Sequence, residues 1–268
     1  GPLSTTTAPF HRHALICANY VAWMKGAFPK HQVTAVDAAN RKKLPKLIEE
    51  AAGVVFTGGV DINPKLYGEN PGPHTDNPNS PRDDFESALF DLAHARKLPM
   101  FGVCRGLHLV NIKLGGKLKQ HVGDAHARDV RSVGKAKDRM HKVMLKKDSR
   151  LLSLLKKDSF EVNSAHHQAV DAKRLGKGLK IAATAKEGTE TVEALEAIDD
   201  NGNYIMLVQW HPERMKTAPS SKKLLADFAA AVAGSAVQKS AEKKSPKAPA
   251  KPKTKPKSAP KQKAKKKR

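Results

Sequence analysis

The chain has 268 residues, 39% of them apolar, with 49 Lys or Arg against 26 Asp or Glu and a formal net charge of +23. That length can build the core of one sizeable domain or two small ones. Its two cysteines exclude a disulfide framework, and no window holds the ~18 consecutive apolar residues that a membrane-spanning helix needs.

The charge is unevenly placed. Residues 239–268 contain fourteen Lys or Arg against one acid, Glu242, so +13 of the charge sits there and +10 on the rest. The opening GPLS reads as a protease scar, and residues 1–12 are expected to be tag remnant and leader. No signal peptide is visible, because TTTAPFHRHALICA lacks a long apolar core before a cleavage site. With so few cysteines, the expected setting is the reducing cytoplasm.

In chain order, HALICA (13–18) reads as a buried strand, followed by a helix-like stretch from Tyr20 to Ala27. HQVTAVDA (31–38) reads as a second strand and KKLPKLIEEAAG as a helix closed by Gly53. VVFTGG (54–59) is a short apolar strand running into a diglycine turn. Phe85, Leu89, Leu92 and Ala93 recur at helical spacing and predict a helix over 82–97. PMFGV is another strand, and RGLHLVNIKLGG a helix stopped by Gly115 and Gly116. Strands alternating with helices at this spacing predict βαβ units, with a mostly parallel sheet flanked by helices. The second half is strand-rich: HKVMLKK, FEVNSAHHQAV, LKIAATA, TVEALEAID and YIMLVQWHPE. The helix SSKKLLADFAAAVAG then closes the domain near 235. Beyond it, Lys, Pro, Ala and Ser dominate and no large apolar residue follows Val237. Residues 236–268 are therefore expected to be a disordered tail.

Cys104 falls where an apolar strand meets the first turn of a helix, with Gly102 and Gly106 two residues to either side. Small flanking residues permit a sharp strand–turn–helix elbow that leaves the central side chain exposed. A helix N-terminus also favours the thiolate. A small, inert core residue fits the same place. Cys17, mid-strand and without flanking glycines, reads as core. Downstream, VQWHPE (208–213) ends an apolar strand in His211, Pro212 and Glu213. In an extended segment residues two apart point the same way, so Glu213 could orient the ring of His211. A base held by a third group is what a cysteine nucleophile requires, although His-Pro-Glu alone is a weak signal.

The elbow G-x-C-R-G together with Q-W-H-P-E resembles the class I glutamine amidotransferase superfamily. FTGGVDINPKLYGE (56–69), RDDFE (82–86), NSAHHQ (163–168) and VEALE (192–196) narrow the likeness to its peptidase C26 branch, which includes γ-glutamyl-γ-aminobutyrate hydrolase. The resemblance spans residues 13–233 and implies a flavodoxin-like α/β fold. It also implies that Cys104 attacks a γ-glutamyl carbonyl, that His211 moves the proton and that Glu213 orients it. The main-chain N–H groups of Gly59 and Arg105 would form the oxyanion hole. Asn163, Ser164, His166 and Gln168 would line the glutamyl pocket, reinforced by Glu193 and Glu196. Asp61, Asn63 and Tyr67 border the site in the family, and serve equally as turn residues. Arg82 and Asp83 read equally as helix-start charges. The family's usual Gln four residues after the nucleophile is His108 here, on the same helix side as Cys104, and is a candidate substrate contact. No cofactor or metal is implied, and no Cys/His run has zinc-ligand spacing.

The function expected is cysteine-dependent hydrolysis of a γ-glutamyl amide through a thioester. The amine half is open: γ-aminobutyrate, a polyamine, another amine or glutamine. Two other readings compete, a glutaminase subunit feeding ammonia to a separate synthetase, and a nucleic-acid-associated protein tethered by its tail. The tail resembles linker-histone tails in composition. Lacking aromatic residues, it offers phosphates a salt-sensitive, non-specific partner rather than a stacking platform, which leaves nucleoid or nuclear association, or another polyanion, open.

Overall fold

A computed structural model describes residues 18–29, 32–76, 78, 80–126, 138–186, 191–198 and 204–244; the side chains of residues 124 and 236–244 lie outside that set. A helix α1 over 18–25 is followed by α2 (Leu44–Glu50), β1 (Val54–Phe56), α3 (Ser80–Ala95), β2 (Met100–Val103) and α4 (Arg105–Lys113). Then come β3 (Leu118–Lys119), β4 (Arg139–Leu145), α5 (Arg150–Leu155), β5 (Ser159–Ser164) and β6 (Ala169–Val170). The elements β7 (Lys180–Ala185), β8 (Val192–Ile198), β9 (Tyr204–Val208) and α6 (Pro219–Lys244) complete the fold. Seven strands form one sheet in the order β1-β2-β9-β8-β7-β4-β5, and β3 pairs with β6 apart from it.

The α/β architecture is as expected, but the sheet is mixed among the described residues. β1 and β9 flank β2 in parallel, whereas β8, β7, β4 and β5 each join antiparallel to their neighbours. Helix α3 returns the chain from β1 to β2 and so keeps those strands parallel; the later strands follow one another through shorter connections and reverse direction. β1, β2 and β9 read as unbroken apolar runs because both their faces are covered. Along β2 and β9 the side chains alternate between two cores: Phe101, Val103, Tyr204, Met206 and Val208 pack with α1 and α6, and Met100, Ile205 and Leu207 with α2, α3 and α4. β4 has a solvated face. His141, Val143 and Leu145 point inward while Met140, Lys142 and Met144 are exposed.

The strand expected at 31–38 does not form over the described residues 32–37. The Asp37 carboxylate accepts from Ala39 N (3.0 Å) and the Asn40 side chain accepts from Asp37 N (3.0 Å), a capping box that starts a 3₁₀ turn, Ala38–Lys43. Val33 and Val36 pack on opposite cores, so the segment passes around the sheet edge. The strand expected at 13–18 lies almost wholly outside the described residues, as does Cys17; residue 18 opens α1. Helix α6 continues nine residues past the boundary expected at 235, to Lys244. That extension is rich in Ala, Lys, Gln and Glu, good helix formers, and the next proline is Pro246. Residues 245–268 lie outside the described set. Among the described residues no helix is long and apolar enough to cross a membrane.

Candidate functional site

β1, β2 and β9 run parallel, so their C-terminal ends meet at one edge of the sheet, where open α/β sheets place their sites. Gly58 and Gly59 follow β1, Cys104 follows β2, and His211 follows β9. The cysteine sits at the N-cap of α4 with φ 52° and ψ −106°, in backbone space that non-glycine residues rarely occupy. Its N–H donates to Val208 O (2.8 Å), which pins the elbow to β9. The flanking glycines have a packing reason. A Cβ on Gly106 would run into the Phe56 carbonyl, and one on Gly102 would lie 2.6 Å from Leu207 Cδ2. The expected exposed thiol is instead 6% exposed and lies on the wall of a cleft.

His211 is likewise buried. β9 ends at Val208, and Pro212–Arg214 form a 3₁₀ turn rather than the extended segment expected. That turn still brings Glu213 Oε1 within 2.8 Å of His211 Nδ1, leaving Nε2 for the thiol. Asn163 clamps the same residue through the backbone, accepting from His211 N (3.0 Å) and donating to His211 O (3.2 Å). Asp138 joins the clamp to the turn, accepting from Asn163 Nδ2 (2.9 Å) and Arg214 Nη1 (2.6 Å). Tyr20 Oη accepts from Gly58 N (3.0 Å) and lies 3.5 Å from His211 Nδ1.

Burial alone would raise the Cys104 pKa. The charge of His211 and its hydrogen bond to the thiol outweigh burial and bring the value below normal. For His211, burial pushes down, but Cys104 and then Glu213 lift the imidazole to about 9. The two shifts run in opposite directions, and together they favour the thiolate–imidazolium form of the pair. The N-terminal dipole of α4 adds to that preference.

Gly59 and Arg105 both line the cleft with Cys104. Arg105 opens α4, so its N–H is one of the first-turn donors that have no partner within the helix. Its side chain points away into a buried ionic network. It pairs with Asp83 and Glu86, while Arg82 Nε donates to Glu86 (2.8 Å) and Arg82 Nη2 to Gly58 O (3.1 Å). Asp83 also accepts from Asn63 N (3.0 Å). RDDFE therefore fastens α3 to the elbow and to the loop after β1.

Of the five expected substrate-binding residues, His108, His166 and Gln168 line the cleft. His108 Nε2 lies 2.8 Å from Gln209 Oε1, and burial lowers its pKa to about 4, so the ring is neutral. The Gln168 amide is buried and makes no hydrogen bond among the described residues. Asn163 and Ser164 serve the scaffold instead. Asn163 is the clamp on His211, and Ser164 Oγ donates to His126 O (2.7 Å). Glu196 does not reach the cleft; its carboxylate accepts from Arg150 N and Leu151 N (2.8 and 3.1 Å) at the start of α5. Sequence reasoning missed Tyr20, which no local motif marks. It also missed a convergence of His126, His141, His166 and Glu193 behind the cleft wall, drawn from four separate segments.

The sequence profile of the peptidase C26 family matches residues 4–213. The chain belongs to the peptidase C26 family. Among curated relatives, a candidate glutamine amidotransferase of Mycobacterium tuberculosis is 36% identical over 188 residues, 70% of this chain and 59% of that one. The chain thus spans less than two thirds of that relative's length. The γ-glutamyl-γ-aminobutyrate hydrolase of Escherichia coli K12 is 32% identical over 183 residues, 65% of this chain and 69% of that one. Among solved structures, the Trypanosoma brucei CTPS glutaminase domain with bound acivicin superimposes with a TM-score of 0.56 at 18% identity, covering 87% of this chain and 92% of that one, a likeness of fold.

Proposed function

We propose that the protein hydrolyses γ-glutamyl amides, such as γ-glutamyl-γ-aminobutyrate or a related γ-glutamyl amine, through a thioester on Cys104. The observation that carries this reading is the thiol on its positive-φ elbow, its pKa lowered by a neighbouring histidine that Glu213 holds. The Cys104 thiolate attacks the γ-carbonyl carbon, and the developing oxyanion accepts from the N–H groups of Gly59 and Arg105. His211 then gives its proton to the leaving amine as the C–N bond breaks. Water, deprotonated by His211, attacks the thioester and releases glutamate and the thiolate. His108 and Gln168 would face the glutamyl head group, with the His166 ring lining the cleft beside them. Incubation with a panel of γ-glutamyl amides, quantifying glutamate, tests the reaction. Release from glutamine alone, and only with a synthetase added, would favour the ammonia-donor reading.

The ion pair predicts the pH response. Activity should fall on the acid side as the thiolate protonates, below the thiol's ordinary value, and on the alkaline side near 9 as His211 loses its proton. Tyr20, Arg214 and His166 also act on these two groups, so both limbs belong to the coupled pair. Because Glu213 helps to raise His211, Glu213→Gln should move the alkaline limb of kcat/KM to lower pH. An unmoved limb would remove Glu213 from this role.

We also propose that the C-terminal segment binds nucleic acid through phosphates. Residues 245–268 carry eleven Lys or Arg and no acid, and they begin after the end of α6. Deleting them should leave kcat/KM for a small amide nearly unchanged. It should also weaken duplex DNA binding at low salt by ~10-fold or more and flatten the salt dependence. Equal DNA binding by both forms would dismiss the segment as a nucleic-acid module.

A further inference from the structure

Behind the cleft wall a fully buried carboxylate faces three imidazoles. Glu193 Oε1 on β8 lies 3.2 Å from His141 Nε2 on β4, 3.6 Å from His166 Nε2 after β5, and 3.8 Å from His126 Nδ1 in the turn after β3. The four residues are between 0% and 7% exposed. The rings of His126 and His141 meet edge to face with centroids 4.8 Å apart, and those of His126 and His166 stack at 5.1 Å.

The contacts are at ion-pair distance, and they act as ion pairs only where the imidazoles are protonated. Among the described residues, both nitrogens of His141, Nε2 of His166 and both oxygens of Glu193 are buried without a hydrogen bond. Buried polar groups left so cost on the order of 1–3 kcal/mol each, and several in one place call for a partner. His166 narrows what that partner is. Its Nδ1 lies 2.9 Å from the carbonyl of Gln168, which can only accept, so Nδ1 carries the proton. Where Nε2 carries no second proton, its lone pair faces a carboxylate oxygen, which repels it. A cation lying between the two reverses the sign of that contact. A backbone carbonyl holding the far nitrogen is also the usual support of a metal-bound histidine.

We infer that His126 Nδ1, His141 Nε2, His166 Nε2 and the Glu193 carboxylate form a structural zinc site. The ligand atoms of His126, His141 and Glu193 all lie within 4.8 Å of one another. A tetrahedral zinc with bonds of ~2.0–2.1 Å places its ligand atoms ~3.3 Å apart. The three distances to Glu193 Oε1 lie close to that spacing, and the histidine nitrogens would close on one another around the ion. Imidazoles with one carboxylate suit zinc, and four protein ligands leave no open position, as in a structural site. The ion would tie β4, β8, the turn 124–126 and the loop carrying Gln168 into one wall behind the cleft. No spacing in the chain announces it, because each ligand comes from a different segment.

The test is zinc retention by the full-length chain, loaded with ZnCl₂, desalted and assayed by elemental analysis. Wild type should keep about one zinc per chain and unfold at a higher temperature than the chelated protein. His141→Ala and the near-isosteric Glu193→Gln should lose most of that zinc and the thermal shift. Two other places could take up zinc. Cys104 with His211 offers a thiolate, and His121 stacks on His74 at 4.0 Å beside His167. Cys104→Ser and His121→Ala should therefore keep the metal. Loss in either of these, with retention in Glu193→Gln, would overturn the site. So would folded wild type that retains no zinc, in which case a protonated imidazole balances Glu193. Should both ligand variants fail to fold, cobalt-loaded wild type decides. Intense tetrahedral visible bands without a thiolate charge-transfer band support the site, and a thiolate band overturns it.

Discussion

Replacing Cys104 with serine should cut turnover of a γ-glutamyl amide by on the order of 10³-fold or more while the fold survives. In the proposed reaction the thiol is the nucleophile, and His211 beside it lowers its pKa. A serine hydroxyl in the same elbow is not ionised by that imidazole, and the oxyanion donors alone recover only a remnant of the rate. The substitution preserves volume and the N–H bond to Val208, so circular dichroism should not change. Cys17→Ser should retain most of the activity. His211→Asn should lose as much as Cys104→Ser, because deleting either partner of the pair deletes the step. His166 would be the next candidate base, but its nitrogens already face the Gln168 carbonyl and Glu193. Equal losses in Cys104→Ser and Cys17→Ser, both folded, or full turnover in His211→Asn, would overturn the assignment.

The parts of this site written within a few residues could be read in advance. Cys104 announced itself by its place between an apolar strand and a helix, His211 and Glu213 by adjacency after β9, and β2 and β9 by unbroken apolar runs. Strand composition was less reliable. His-Gln-Val-Thr-Ala-Val carries β-branched residues like a strand, yet its valines lie three apart and the capping box at Asp37 starts a turn. Contacts made across the chain left no mark at all. Nothing near Tyr20 says that its hydroxyl will hold the Gly58 N–H, and nothing in NSAHHQ separates Asn163, which clamps His211, from Gln168, which faces the cleft. The antiparallel half of the sheet was hidden for a related reason: strand periodicity fixes faces, not direction.

The buried charges of α3 lead to the last expectation. Asp83 and Glu86 share the helix's inward stripe with Phe85, Leu89 and Phe90, where carboxylates are tolerated only with a partner. That partner is Arg105, itself 1% exposed. Replacing it with methionine keeps the main-chain N–H and much of the volume but leaves Asp83 without its ion pair; Arg82 still reaches Glu86. Removing one member of a buried pair costs about 3–5 kcal/mol, so Arg105→Met should lower the unfolding free energy by that much at neutral pH, read as a lower denaturant midpoint at unchanged slope. The loss should shrink with acid. Burial already raises the Asp83 carboxyl above its ordinary value, with the Asn63 N–H and Arg105 pulling it back. Without Arg105 it rises further, so the folded variant holds a proton that the unfolded chain releases. Its stability is then greatest at low pH and declines as pH climbs through the folded-state value. Unfolding of wild type and variant across mildly acidic to neutral pH would show the two curves converging toward acid. A pH-independent gap, or one under about 1 kcal/mol, would mean that Arg105 does not hold α3 to the elbow through its charge.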